Sequence, residues 1–158
     1  MSKDSWSKVQ FNLNAKYDLV SGLTEYLKTR DKNEHFSDVI NKLIEARIKS
    51  LQALTPFQKS LSEQSLSNML KEVTEKLDDI DSIAQDQKYI NLKANLDKID
   101  TELLLSTNYY NAVVSDLNSK VQSFPSGFLA GLFGISSEEI FRYDFFNNRQ
   151  IPYKVKHT

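Results

Sequence analysis

From residue 4 onward, apolar side chains recur every three or four positions, the repeat that lines one face of an α-helix. Trp6, Val9, Leu13, Val20, Leu23 and Leu27 form the first line, interrupted only by Lys16, and Phe11, Tyr17 and Leu19 widen it. With Asp4 or Ser5 as N-cap, this predicts a helix over about residues 4–28, closed by the polar run 29–33. A second helix, over 34–54, carries Val39, Leu43 and Ala46 on one line and Ile40, Ile44, Ile48 and Leu51 on another. So broad an apolar face calls for two neighbours. Thr55, Pro56 and Gln58 then occupy the N-cap, N1 and N3 positions of a capping box. A third helix over 56–80 is therefore preferred to one longer helix kinked at Pro56. It bears Leu61, Leu66, Met69, Leu70, Val73, Leu77 and Ile80.

After an acidic connection, Asp86 is a suitable N-cap for the longest helix, 86–124, about 58 Å at 1.5 Å per residue. Its line runs through Tyr89, Leu92, Leu96, Ile99, Leu103, Ser106, Tyr110, Val113, Leu117 and Phe124, with Lys120 its only charged member. Pro125 and Gly127 end it. Asn111 and Asn118 share a face of this helix, with Asn14 and Asn41 as candidate partners, the pattern of a buried amide that fixes register. Tyr110 falls on the core line and Tyr109 at its margin.

Four amphipathic helices with short connections predict one all-α domain over residues 1–158, an antiparallel up-and-down four-helix bundle. A short apolar C-terminal extension, 125–158, completes it. Four passes bring the last helix back to the end where the first begins, so residues 128–133 are expected near 4–9. The stretch 122–135, QSFPSGFLAGLFGI, holds three of the four glycines and a nearly unbroken apolar run. Folded back, its large side chains would each contribute roughly 1.5–3 kcal/mol on full burial and cap the bundle end. Left exposed, they would mark a membrane or partner contact. The cap is favoured for the isolated domain, and Phe128, Leu129, Leu132 and Phe133 are the candidate interaction or membrane-facing residues.

Composition narrows the chemistry. Twenty basic against 21 acidic residues give a net charge of -1, unlike the clustered positive surface of a nucleic-acid binder. With no cysteine there is neither disulfide nor thiolate nucleophile. His35 and His157 stand outside the helix lines, no Glu-x-x-His occurs, and there is no phosphate loop or nucleophile elbow. The acidic group Asp78, Asp79, Asp81 and Asp86 lacks the spacing and glycine of a calcium loop. No run reaches the roughly 18 apolar residues of a membrane span, and the polar start MSKDSWSKVQ is unlike a signal peptide. No catalytic residue, metal ligand, cofactor or small-molecule substrate is indicated.

Several blocks resemble the LemA family of bacterial membrane-anchored proteins. They are Trp6-Ser7 with Leu13, Tyr17-Asp18-Leu19-Val20 and Leu23, then Leu43-Ile44-Glu45-Ala46-Arg47. The strongest is Tyr109-Tyr110-Asn111, Val114, Asn118, Gln122-Ser123-Phe124-Pro125-Ser126 and Ala130-Gly131-Leu132-Phe133-Gly134, with a weaker tail of Arg149, Pro152 and Val155. Departures are Ser21 where the family usually has proline, Asp81-Ser82 for a Tyr-Pro turn region, and Glu102 and Thr107 at frequently basic positions.

The resemblance implies a four-helix bundle preceded by a single-pass N-terminal anchor in the bacterial cell membrane. Met1-Ser2-Lys3 begins almost where that anchor should end, so the chain is expected to be the soluble domain of a longer protein. The expected role is a non-enzymatic scaffold or protein-interaction module of the cell envelope, whose partner is the membrane surface or another membrane protein. The alternative is a metal-binding bundle or enzyme using carboxylates such as Glu25, Glu45 and Glu102.

Overall fold

The computed structural model describes residues 2–31 and 35–122, and every regular element among them is a helix. These are α1 (Ser2–Arg30), α2 (Ser37–Gln52), α3 (Pro56–Asp78), α4 (Asp81–Ala84) and α5 (Gln87–Gln122). None of them is long and apolar enough to cross a membrane. The protein is thus all-α, with five described helices where the hydrophobic pattern predicts four.

The extra helix has a packing cause. Residues 78–86 read as an acidic connection, but the amides of Ile83 and Ala84 both donate to the Ile80 carbonyl, closing one turn. That turn drives Ile83 into the core, 2% exposed. Period counting misses it because a single turn contains no repeat. α2 is also shorter than expected, because the chain bends at Phe36 and turns extended at Ala53.

The break at Pro56 separates two helices. Thr55 Oγ1 accepts from the Gln58 amide at 3.1 Å, and Gln58 Oε1 accepts from the Thr55 amide at 3.3 Å and the Leu54 amide at 3.0 Å. The box occupies donors that would otherwise be orphaned at the helix start, a contribution of about 1 kcal/mol. Asp86 Oδ1 accepts from the Lys88 amide at 3.2 Å at the head of α5.

α1 makes its most extensive packing with α5. Trp6 meets Tyr110 (ring centroids 5.0 Å apart), Asn12 meets Ser106, Lys16 meets Asp100 and Tyr26 meets Asp86. Partners descend along α5 to Asp86, just before its first residue, as those on α1 ascend. The core is built by Val9, Leu13, Val20, Leu23 and Leu27 of α1, Leu43 of α2, Leu66, Val73 and Leu77 of α3, and Tyr89, Leu103, Tyr110 and Val114 of α5, all buried.

At the α4 end two tyrosine–aspartate pairs close the core. Tyr26 donates to Asp86 Oδ2 at 2.7 Å and Tyr89 to Asp78 Oδ1 at 2.9 Å, with the rings stacked 6.2 Å apart. Arg30 pairs with Asp86 and Lys93 with Asp78. Two members of the acidic group are therefore occupied by tyrosine hydroxyls and cations.

Candidate functional site

The polar interruption of the first helix line turns out to be the centre of the molecule. Lys16 is fully buried, and so is Glu63 of α3. Lys16 Nζ donates to Ser67 Oγ at 2.7 Å and pairs with Asp100 Oδ1 at 2.9 Å, while Glu63 Oε2 stands 3.5 Å away. A second lysine, Lys59, is 9% exposed; its ammonium donates to the Ser50 carbonyl at 3.2 Å and lies 6.0 Å from the centre of the Tyr17 ring. Two cations and two carboxylates from α1, α3 and α5 thus share the interior. Asp100, one-third exposed, is the most solvent-accessible of the four.

Burial raises the Glu63 carboxyl above its ordinary range, against the opposing pull of the Lys16 ammonium and the Tyr17 hydroxyl. Burial also lowers Lys59, against the neighbouring Glu63 carboxylate. Each charge is costly in a low-dielectric interior and persists because its opposite is present. Beside the cluster a cleft of about 160 Å³ reaches toward solvent, with Lys16, Ser67, Thr74, Lys93, Asp97 and Asp100 among its walls. Its mixed charges favour neither anion nor cation. The arrangement can hold or release a proton at Glu63 and pin three helices in register. It aligns no nucleophile with a base.

One layer toward the start of α1, Asn12 is buried, and its Nδ2 donates to Ser106 Oγ at 3.1 Å and to the Glu102 carbonyl at 3.4 Å. Asn12 is a buried amide that joins α1 to α5, while the predicted partners Asn14 and Asn41 are exposed. Asn111 is buried as expected and Asn118 is half-buried.

The carboxylates of the metal reading do not converge. Glu25 pairs with Lys28, Glu45 pairs with Lys49, and Glu102 lines a shallow surface groove beside Asp18 and Lys98. No group of three metal-ligating side chains occurs among the described residues.

A second feature is apolar. Phe11, Ile48, Leu51, Leu54, Phe57, Leu61, Leu105 and Tyr109 are all exposed, Leu54 by 81% and Phe11 by 73%. Exposure of Tyr109 with Tyr110 buried fits the sequence pattern. Exposure of Phe11, Ile48, Leu51 and Leu61 corrects their expected place in the core, and shared height explains them. α1 and α5 are aligned by the Lys16–Asp100 pair, α3 by Lys16–Glu63, and α2 by the bond from Arg47 Nε to the Tyr17 carbonyl. Counting about 1.5 Å per residue from those anchors places all eight within a belt about 14 Å tall, between the charge cluster and the start of α1. Ile90, also exposed, lies on the opposite side of the cluster. The anticipated contact residues Phe128, Leu129, Leu132 and Phe133, and His157, lie outside the described residues.

Lys16, Lys59 and Glu63 were missed as interior groups because charged residues are read as solvated. The available signal was position: Lys16 stands on an otherwise unbroken core line, and Lys59 and Glu63 fall one turn apart on the inward face of α3.

No curated protein matches the chain at a significant level. The LemA family model matches residues 5–156, nearly the entire sequence. The match joins the helices that carry the charge cluster to the glycine-rich stretch beyond α5 in one family pattern, and the chain belongs to the LemA family.

Proposed function

We propose that this chain is a non-enzymatic scaffold or interaction module of the bacterial cell envelope. In this reading α1, α2, α3 and α5 form an antiparallel up-and-down four-helix bundle carried at the membrane by a single-pass N-terminal anchor. The buried charge cluster has a structural role, fixing which helices meet and at what height. The partner is the membrane surface or another membrane protein. The observation that carries the reading is the apolar belt, because eight large apolar side chains exposed within about 14 Å of helix height are more apolar surface than scattered exposure accounts for. Family membership over residues 5–156 is in keeping with it.

Site-specific photo-crosslinking in native membranes tests this. Photo-reactive residues at Phe57 and Tyr109, in the belt, are compared with ones at Lys71 and Ile90, outside it. Adducts to lipid or to one membrane protein at the belt positions alone are expected. Equal adduct yields at all four positions would remove the belt as the contact surface and the reading with it.

A further inference from the structure

The helices do not pack evenly around the interior. α1 runs close along α5 and along α2, and α2 along α3, but the backbones of α3 and α5 have no stretch of close approach. These two helices are joined through the α4 corner, residues 79–86. Beside it Tyr89 donates to Asp78 Oδ1 at 2.9 Å and to the Thr74 carbonyl at 3.3 Å, and Lys93 pairs with Asp78. Farther from the corner the seam between them holds the cleft of about 160 Å³, walled by Ser67, Lys71 and Thr74 of α3 and by Leu96, Asp97 and Asp100 of α5. Lys16 reaches into it from α1 and ties its two sides, bonding Ser67 on α3 and Asp100 on α5.

Such a body has a spine and an edge. α1 and α2 are the spine, joined by Arg47 Nε donating to the Tyr17 carbonyl at 2.9 Å. The α3–α5 edge is bridged at mid-height by polar groups, whose bonds water can replace at little net cost. Glu63 sits behind that bridge with no exposed surface. The charged and titratable groups facing it are Lys16 and Tyr17 of α1, Asp100 of α5 and Lys59 of its own helix, while α2 presents Arg47, already bonded to the Tyr17 carbonyl. With the seam closed, water is withheld from Glu63 and burial favours its protonated form. With the seam parted, water reaches the carboxylate and that bias is gone.

We propose that the α3–α5 seam is a proton-controlled opening, shut while Glu63 is protonated and parting about the α4 corner when Glu63 gives its proton to solvent. This goes beyond a scaffold role, because it makes the shape of the bundle depend on the acidity around it. Burial raises the Glu63 carboxyl above 4.5 in the closed form. Its contribution to closure is therefore complete below 4.5 and is lost as pH rises through the raised value. Over that window the open-to-closed ratio grows up to about ten-fold per pH unit, the limit for one proton. Lys59, which burial lowers, responds in the opposite sense, so substitution at Glu63 is what isolates the effect.

The chain has no cysteine, so pairs of thiols can be introduced for nitroxide labels. Lys71→Cys with Thr101→Cys reports the distance from α3 to α5, and Asn14→Cys with Thr101→Cys the distance from α1 to α5; all three positions are exposed. Pulsed dipolar spectroscopy compares the full chain frozen from pH 5 and from pH 8. The α3–α5 pair is expected to show a longer-distance population at least three-fold larger at pH 8, with the α1–α5 pair unchanged. Glu63→Gln and Glu63→Met, which carry no titrating group there, should each hold the α3–α5 pair at its short distance at both pH values. Helical circular dichroism at each pH separates opening from unfolding.

An α3–α5 distance that ignores pH would overturn the proposal. So would a response that persists in either folded Glu63 variant, which assigns it to another group. An equal change in the α1–α5 pair would also overturn it, because the whole bundle would then be loosening.

Discussion

Replacing Lys16 with methionine isolates what the buried charges contribute. The substitution keeps an unbranched stem one atom shorter and removes the ammonium, so packing against the neighbouring core is largely retained. What is lost is the 2.7 Å bond to Ser67, the 2.9 Å pair with Asp100 and the 3.5 Å pair with Glu63. Asp100 is one-third exposed and can turn to water, but Glu63 cannot, and a buried carboxylate without its cation costs about 3–5 kcal/mol.

For a domain of this size that corresponds to a drop in Tm of about 6–20 °C, taking about 2–4 °C per kcal/mol. Urea unfolding followed by helical circular dichroism measures it, with an unchanged slope required for the comparison. The double variant Lys16→Met with Glu63→Leu removes both charges and is expected to recover most of the loss, a coupling of about 2 kcal/mol or more. The deficit of Lys16→Met also depends on pH. Lys16 pulls the raised Glu63 carboxyl down, so in the variant the folded state holds the Glu63 proton still further above the ordinary value of 4.5, where the unfolded state releases it. The deficit is therefore smallest below about 4.5 and grows as pH rises. If Lys16→Met unfolds at the wild-type urea concentration, or if the two single losses simply add in the double variant, the reasoning about a shared buried pair is wrong.

Two further outcomes test the frame around the cluster. Gly22 lies in the interior of α1, where a new Cβ would meet Leu92 Cδ2 at 3.4 Å, an ordinary van der Waals contact. Gly22→Ala should raise stability by about 0.5–1 kcal/mol through helix propensity, and a measured loss would mean the α1–α5 spacing is tighter than described. At the α4 end, burial and the bond to Asp86 push the Tyr26 hydroxyl up to about 12. Its contribution to stability is thus present below the ordinary tyrosine value of 10.0 and lost as pH rises through about 12. Alkaline titration by tyrosinate absorbance should show one late-ionising group move earlier in Asp86→Asn, and an unchanged curve would refute the assignment.

The local order of this protein was legible in its sequence. The long helices follow from apolar residues at three- and four-residue spacing, and the start of α3 from Thr55, Pro56 and Gln58, because those signals act between near neighbours. Tyr110 inward and Tyr109 outward follow from the 100° turn per residue. The family too was legible, since its blocks are contiguous. Three things were decided only by tertiary structure. Periodicity says which face of a helix is apolar but not which partner covers it at a given height. Phe11, Ile48, Leu51 and Leu61 sit on apolar lines and remain exposed because no described helix packs over them there. On α1 it is Asn12, not the expected partner Asn14, that is buried, because Ser106 and the Glu102 carbonyl stand opposite it. Lys16, Lys59 and Glu63 became interior residues because three helices, distant in sequence, bring compensating charges together, and the desolvation cost of each alone would have kept it at the surface.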